Sequence, residues 1–143
     1  MPYTTLANIT GQISEDRVIQ LTDDEGLNVA NSGRVTDAIA SADAIIDGYC
    51  SARYIVPFNP VPAIIAKCSL DMAIYNLYAR RVETMPEVRD KNNTLAINML
   101  KAIAKGDITL GDTAVVAPPN NGNTPAMIRT NDRIFPASKM DTY

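Results

Sequence analysis

The sequence predicts an all-α fold: a small helical bundle with a long antiparallel helix pair and an extended C-terminal arm. Three observations carry that prediction. Val35, Ile39, Ala42, Ile45, Ile46 and Tyr49 recur at i, i+3, i+4 and i+7 spacing, which makes one apolar stripe on a helix. From Ala63 to Arg81, apolar side chains sit nearly all round the helical wheel, and Lys67, Asp71 and Arg81 share one narrow sector with Tyr78. A helix apolar on almost every side is surrounded by protein, so this second arm is the predicted core helix. Between the arms stand Pro57, Pro60 and Pro62. Proline cannot donate to a continuing helix and biases its preceding residue to extended backbone. The result is a stiff, short elbow, and such a link makes its two helices antiparallel neighbours.

The elements follow in order. Residues 3–21 read as one or two short helices, with Thr4 or Thr5 as the first cap and Leu6 and Ile9 facing inward. Ser14 caps the second, and Glu15 and Asp16 lie in its first turn, where the helix dipole favours negative charge. Asp23, Asp24, Glu25 and Gly26 are turn chemistry. A calcium reading of that acidic cluster lacks the alternating ligands and closing glutamate of an EF-hand loop, so a solvated turn is favoured. Asn31 or Ser32 caps the first long arm. At the elbow, Arg53 is placed to meet the last carbonyls of that arm, Tyr54 to bury its ring, and Tyr54–Val56 to run strand-like. Pro62 suits the first helical position of the second arm, which runs to about Glu83. Pro86 opens a last helix from Glu87 to Lys105, whose inward side is read as Val88, Leu95, Ala96, Met99, Leu100 and Ile103. Gly106 ends it after a basic last turn. Residues 107–111 are a possible short strand.

Domain 1–111 is thus a helical body and 112–143 an arm. The arm is rich in Pro, Asn, Gly and Thr and offers too little apolar area to offset its own ordering entropy. It regains anchors toward its end. Ile128, Arg129, Arg133, Ile134, Phe135, Met140 and Tyr143 are large apolar or basic side chains of the kind a docking tail carries.

Composition narrows the function. The chain has 143 residues, enough to bury a real core in one domain, and a net charge of −3. Its thirteen basic residues are scattered, which argues against phosphate-backbone binding. No apolar run approaches the ~20 residues that span a bilayer, so no membrane role is expected, and the N-terminus has no signal-peptide pattern. Cys50 and Cys68 read as small buried thiols rather than a disulfide.

There is no histidine, which removes the commonest general base and metal ligand. Asp43 and Asp47 share a helix face, yet nothing in the sequence places a partner beside them, so a solvated face is the favoured reading. Arg80 and Arg81 suit a helix C-terminus as well as a nucleic-acid contact. Gly106, Gly111 and Gly122 lack the Gly-Lys-Ser/Thr ending of a phosphate loop. No catalytic, cofactor or metal site is assigned and no enzyme is expected.

The pieces together resemble the Mu-like phage gp36-like family, found in head-morphogenesis gene clusters. Tyr3-Thr-Thr-Leu is similar to the family opening and Val18-Ile-Gln-Leu-Thr-Asp23 to its "QLTD" segment. The most distinctive block is Ala38 to Tyr54, a helix ending in Gly-Tyr-Cys-Ser-Ala-Arg-Tyr and followed by prolines. Ala66 to Tyr78, Ala102 to Gly111 and Arg133 to Met140 resemble the remaining pieces. Cys50 stands where the family usually has leucine. Pro136 and Ala137 stand where it has Ser-Arg, so the family's arginine is absent at that position.

The resemblance implies a structural head–tail connector, or adaptor. Such a protein forms a homo-oligomeric ring under the portal of a tailed phage, usually twelve-fold, and its C-terminal arm docks on the portal or a neighbour. It implies the portal protein and a head-closure or tail-terminator protein as partners, with DNA only passing through the lumen. It also implies a place in the virion neck, after assembly in the host cytoplasm. A small helical nucleic-acid-binding or regulatory protein of a phage or prophage is the alternative, and would need a basic surface.

Overall fold

Thr5 starts the first helix. Its backbone is extended and its Oγ1 accepts the N–H of Asn8 at 3.4 Å, which satisfies one of the donors a helix start leaves unpaired. In this computed structural model, which describes residues 1–81, 85–111 and 115, α1 spans Leu6–Gln12 and α2 Glu15–Thr22. Ser14 sits at the N-cap of α2 but makes no side-chain capping bond; Glu15 and Asp16 in the first turn complement the dipole instead. α3 (Ser32–Cys50) is capped by Asn31, whose side chain accepts the Arg34 N–H at 3.2 Å. α4 spans Ala63–Ala79 and α5 Glu87–Lys105. Pro62 and Pro86 occupy the N-cap of α4 and α5, one position before the N1 slot expected for each.

α5 ends as its sequence dictates. Gly106 adopts φ +97°, a left-handed conformation that costs a residue without Cβ nothing. Its N–H bonds Ile103 O, and the Asp107 N–H bonds Ala102 O, a Schellman closure of the last carbonyls.

α3 and α4 are antiparallel, as the elbow predicts. Asn76 of α4 donates to Ala38 O of α3 at 3.1 Å, while Ser69, earlier in α4, donates to Asp43, later in α3. α4 packs against all four other helices. Nine of its residues are buried, from Ile65 to Tyr78, so the all-round apolar pattern marks the core helix. Ser69 and Asp71 are the polar members of that set, and Asp71, only 7% exposed, pairs with Lys67 one turn earlier at 2.7 Å. Cys50 and Cys68 are both buried free thiols. Burial pushes each thiol up to about 11, so both stay protonated at neutral pH.

Several expectations are corrected. Val88 and Leu95 of α5 face outward, 64% and 56% exposed, because the buried stripe of α5 is Ala96, Leu100 and Ile103. Met99 is only partly buried. Leu6 and Ile45 are exposed as well. α4 stops at Ala79, not near Glu83, with Arg80 as its C-cap. Residues 107–111 form no strand, and the strand-like Tyr54–Val56 amounts to one antiparallel bridge, Tyr54 to Val115.

Candidate interaction surface

Tyr3 ties the N-terminal segment to three elements at once. Its backbone N–H donates to Asp43 at 2.9 Å and its hydroxyl donates to Asp47. The same hydroxyl oxygen accepts the N–H of Phe58 in the elbow at 3.1 Å, and the two rings lie 5.8 Å apart and tilted by 52°. Ser69 of α4 donates to Asp43 at 2.6 Å. Asp43 and Asp47 are therefore not the solvated face expected from their spacing. They are half-buried acceptors, four residues apart, that receive donors from 26 to 44 residues away in the chain. Burial, and then the carboxylate of Asp47, push the Tyr3 hydroxyl well above its ordinary value, so it stays a donor at any physiological pH.

Beside this hasp runs an open groove of about 630 Å³ between residues 1–6 and α3. Its floor is apolar, with Val35, Ile39, Ala40 and Ala44 along α3, Leu6 on the rim, and Asp43 and Asp47 at one end. The volume falls in the range of ~300–1,000 Å³ typical of binding clefts.

A second cluster closes the turn after α2. Asp24 receives both terminal nitrogens of Arg80, at 2.6 and 2.7 Å, Arg81 at 2.9 Å and Arg34 at 3.2 Å. Arg80 also donates to Leu21 O and Arg81 to Asp23 O, both at 2.7 Å. The bidentate Arg80 pair holds the Asp24 carboxyl well below the usual carboxylate range. Asp23 accepts the backbone N–H groups of Asn28, Leu27 and Glu25, which lower its pKa in turn. The acidic turn is thus an ion-pair hub rather than a free, solvated cluster. Arg80 and Arg81 serve it rather than the end of their own helix.

The elbow joins α3 to the end of α5. Tyr54 is buried, and its hydroxyl oxygen accepts the Leu110 N–H at 3.1 Å. The Arg53 guanidinium lies 5.9 Å from the Tyr54 ring, and a Cβ at Gly106 would fall 1.9 Å from its Nη1. Arg53 therefore covers the cap of α5 as well as the elbow, a contact its position in the sequence did not signal. Val56–Pro57 and Asn59–Pro60 are cis. The predicted docking residues Ile128, Arg129, Arg133, Ile134, Phe135, Met140 and Tyr143 lie outside the described residues.

Tyr3 and the groove are what sequence reasoning missed. The partners of Tyr3 are 40, 44 and 55 residues away, so no local pattern could point to them. Chemically, the two polar clusters are occupied: each carboxylate already receives a donor from the protein. Among the described residues, apolar surface is left open at the groove, at the outward Val88 and Leu95, and at Leu27, Val29 and Ile55.

Residues 3–128 match the family described as Bacteriophage Mu, Gp36, and the chain belongs to that family. It is similar to the Mu-like prophage FluMu protein gp36 of Haemophilus influenzae, 31% identical over 81 residues. The aligned stretch covers 57% of this chain and 55% of that relative, so the chain spans about half the length of the relative it matches.

Proposed function

We propose that this member of the Bacteriophage Mu Gp36 family is a structural head–tail connector, a ring subunit that joins the portal of a phage capsid to its tail. Membership makes it a phage-type protein; the connector role is our reading. The observation that carries it is that unlike apolar surfaces lie open on one subunit, among them the groove along α3 and the exposed Val88 and Leu95 of α5. A ring closed by one repeated contact needs two unlike faces per subunit, since each copy must offer one to each neighbour. Val88 and Leu95 are seven residues apart, two helical turns, and so share one face of α5. The acidic balance of the chain suits a lumen through which DNA passes without sticking.

Among the described residues no helix is long and apolar enough to cross a membrane. The partners in this reading are the portal protein above and a head-closure or tail protein below. The neck of the virion is the place where they would meet.

Co-expression with the portal protein of the same gene cluster tests the proposal. A complex of portal-matched stoichiometry by native mass spectrometry is expected, and it should be lost when residues 112–143 are removed. Leu95→Lys should abolish rings while leaving helix content intact, because an exposed substitution changes stability by only about 0.5 kcal/mol. The connector reading is wrong if no complex forms with or without the arm. Strong, salt-dependent binding to duplex DNA by the isolated protein would replace it with the nucleic-acid reading.

A further inference from the structure

The groove along α3 lacks an occupant among the described residues, and the chain itself carries a segment that fits it. We propose that residues 127–135 of the C-terminal arm dock in the groove of their own subunit. Three observations support this, and none depends on the connector reading.

The first is chemistry. The groove has an apolar floor, with Val35, Ile39, Ala40 and Ala44, and two half-buried carboxylates, Asp43 and Asp47, at one end. The segment 127–135 carries the same two features in complement: Ile128, Ile134 and Phe135 for the floor, Arg129 and Arg133 for the carboxylates. Each carboxylate has about four acceptor sites, so the bonds from Tyr3 and Ser69 leave room for a guanidinium.

The second is charge. Residues 116–143 hold three of the thirteen basic side chains and two of the sixteen acidic ones, a net charge of +1, while the rest of the chain carries −4. The two net charges are opposite in sign, and Arg129 and Arg133, which flank Asp132, are the arm's basic groups inside the proposed segment.

The third is reach. Val115 is bridged to Tyr54, and the Tyr54 N–H bonds Cys50 O at the end of α3, so the arm leaves the body one turn beyond the helix whose face is the groove floor. Ala40 lies ten residues back along α3, ~15 Å by the helical rise. The twelve residues from Val115 to Met127 span up to ~40 Å when extended. The tether therefore reaches with length to spare, and at that length it holds the segment near the groove at an effective concentration of order millimolar. At dilute protein concentration, an intramolecular contact then outcompetes the same contact made by another copy.

Cross-linking in the full chain tests this. Cys50 and Cys68 are buried and protonated, so they stay silent toward a maleimide at neutral pH. Ala40→Cys is paired with Ile134→Cys and treated with a short bismaleimide. The control pair is Ser41→Cys with Ile134→Cys, because Ser41 is exposed on α3 outside the groove. The expected result is an intramolecular cross-link for the Ala40 pair, about tenfold or more faster than for the control and independent of protein concentration. Arg129→Glu with Arg133→Glu should slow it several-fold in low salt. Equal rates for the two pairs would overturn the proposal. So would a concentration-dependent ladder of covalent multimers, which would mean that the groove takes a neighbour's arm instead.

Discussion

The two polar clusters of this molecule use the same side chain for opposite kinds of work. At the Tyr3 hasp, Asp43 and Asp47 are half-buried and accept from a phenol, a serine and a backbone N–H. At the α2–α3 turn, Asp24 is more exposed and accepts from three guanidiniums. The hasp makes neutral-donor bonds at half-buried carboxylates and at the buried Phe58 N–H, so its strength lies in what its groups would lose if unpaired. The hub makes ion pairs where water and salt reach, so its strength is Coulombic and easily screened. The two clusters should therefore differ in which substitution hurts, in which salt and at which end of the pH scale.

Tyr3→Ala is the most damaging change. It removes a buried ring packed on Phe58 and leaves Asp47 and the Phe58 N–H without their donor and acceptor. Truncating a buried aromatic costs about 3–5 kcal/mol, read as a loss of denaturation midpoint by circular dichroism. Tyr3→Phe sharpens the comparison, because it keeps the ring and removes the hydroxyl alone. Leaving the buried Phe58 N–H without its acceptor costs about 1–3 kcal/mol. If Tyr3→Phe costs nothing, the hasp is held by its ring and the hydrogen bonds are incidental.

How much of this was legible beforehand follows from distance along the chain. The three long helices were readable because each rests on a local period and a local stop: the prolines at 57, 60, 62 and 86, and the glycine at 106. Val88 and Leu95 were misread because periodicity gives a helix an apolar face without saying where its neighbour ends. Asp43 and Asp47 were misread as solvated because their donors are Tyr3 and Ser69, on other elements. The Asp24 hub was hidden for the same reason, its arginines lying up to 57 residues away. The Arg53 contact needed the end of α5 to be in place. The arm's own anchors, Ile128 to Tyr143, were read from residue type alone.

Gly106 offers a third cluster to set beside the two, held by backbone conformation. Gly106→Ala must place a Cβ at φ +97° and against the Arg53 guanidinium, 1.9 Å away. The strain alone exceeds ~1 kcal/mol, and Arg53 must swing off the cap of α5. The expected loss lies between those of Tyr3→Phe and the hub variants. The double variant with Arg53→Ala should recover part of it, which a thermal melt of the three proteins would show.

The smallest effect separates the two carboxylate clusters most cleanly. Asp24→Asn removes the ion pairs but keeps a hydrogen-bonding oxygen, so the loss should be modest in low salt and vanish toward ~1 M salt, where the Debye length is ~3 Å. The pH dependence carries the opposite signs. The folded carboxyls of Asp23 and Asp24 are held below their unfolded values, so their contribution is present above the unfolded carboxylate pKa of ~3.9. It is lost as the pH falls through the lower folded values. The Tyr3 hydroxyl is raised above its unfolded value of 10.0, so its contribution is complete below pH ~10 and drains away as the pH rises beyond it. Melting temperature against pH should thus show an acid limb that Asp24→Asn flattens and an alkaline limb that Tyr3→Phe flattens. If Asp24→Asn moves the alkaline limb, or the acid limb survives unchanged without Asp24, the hub is not the source of acid lability. The division between a screened cluster and an unscreened one would then fail.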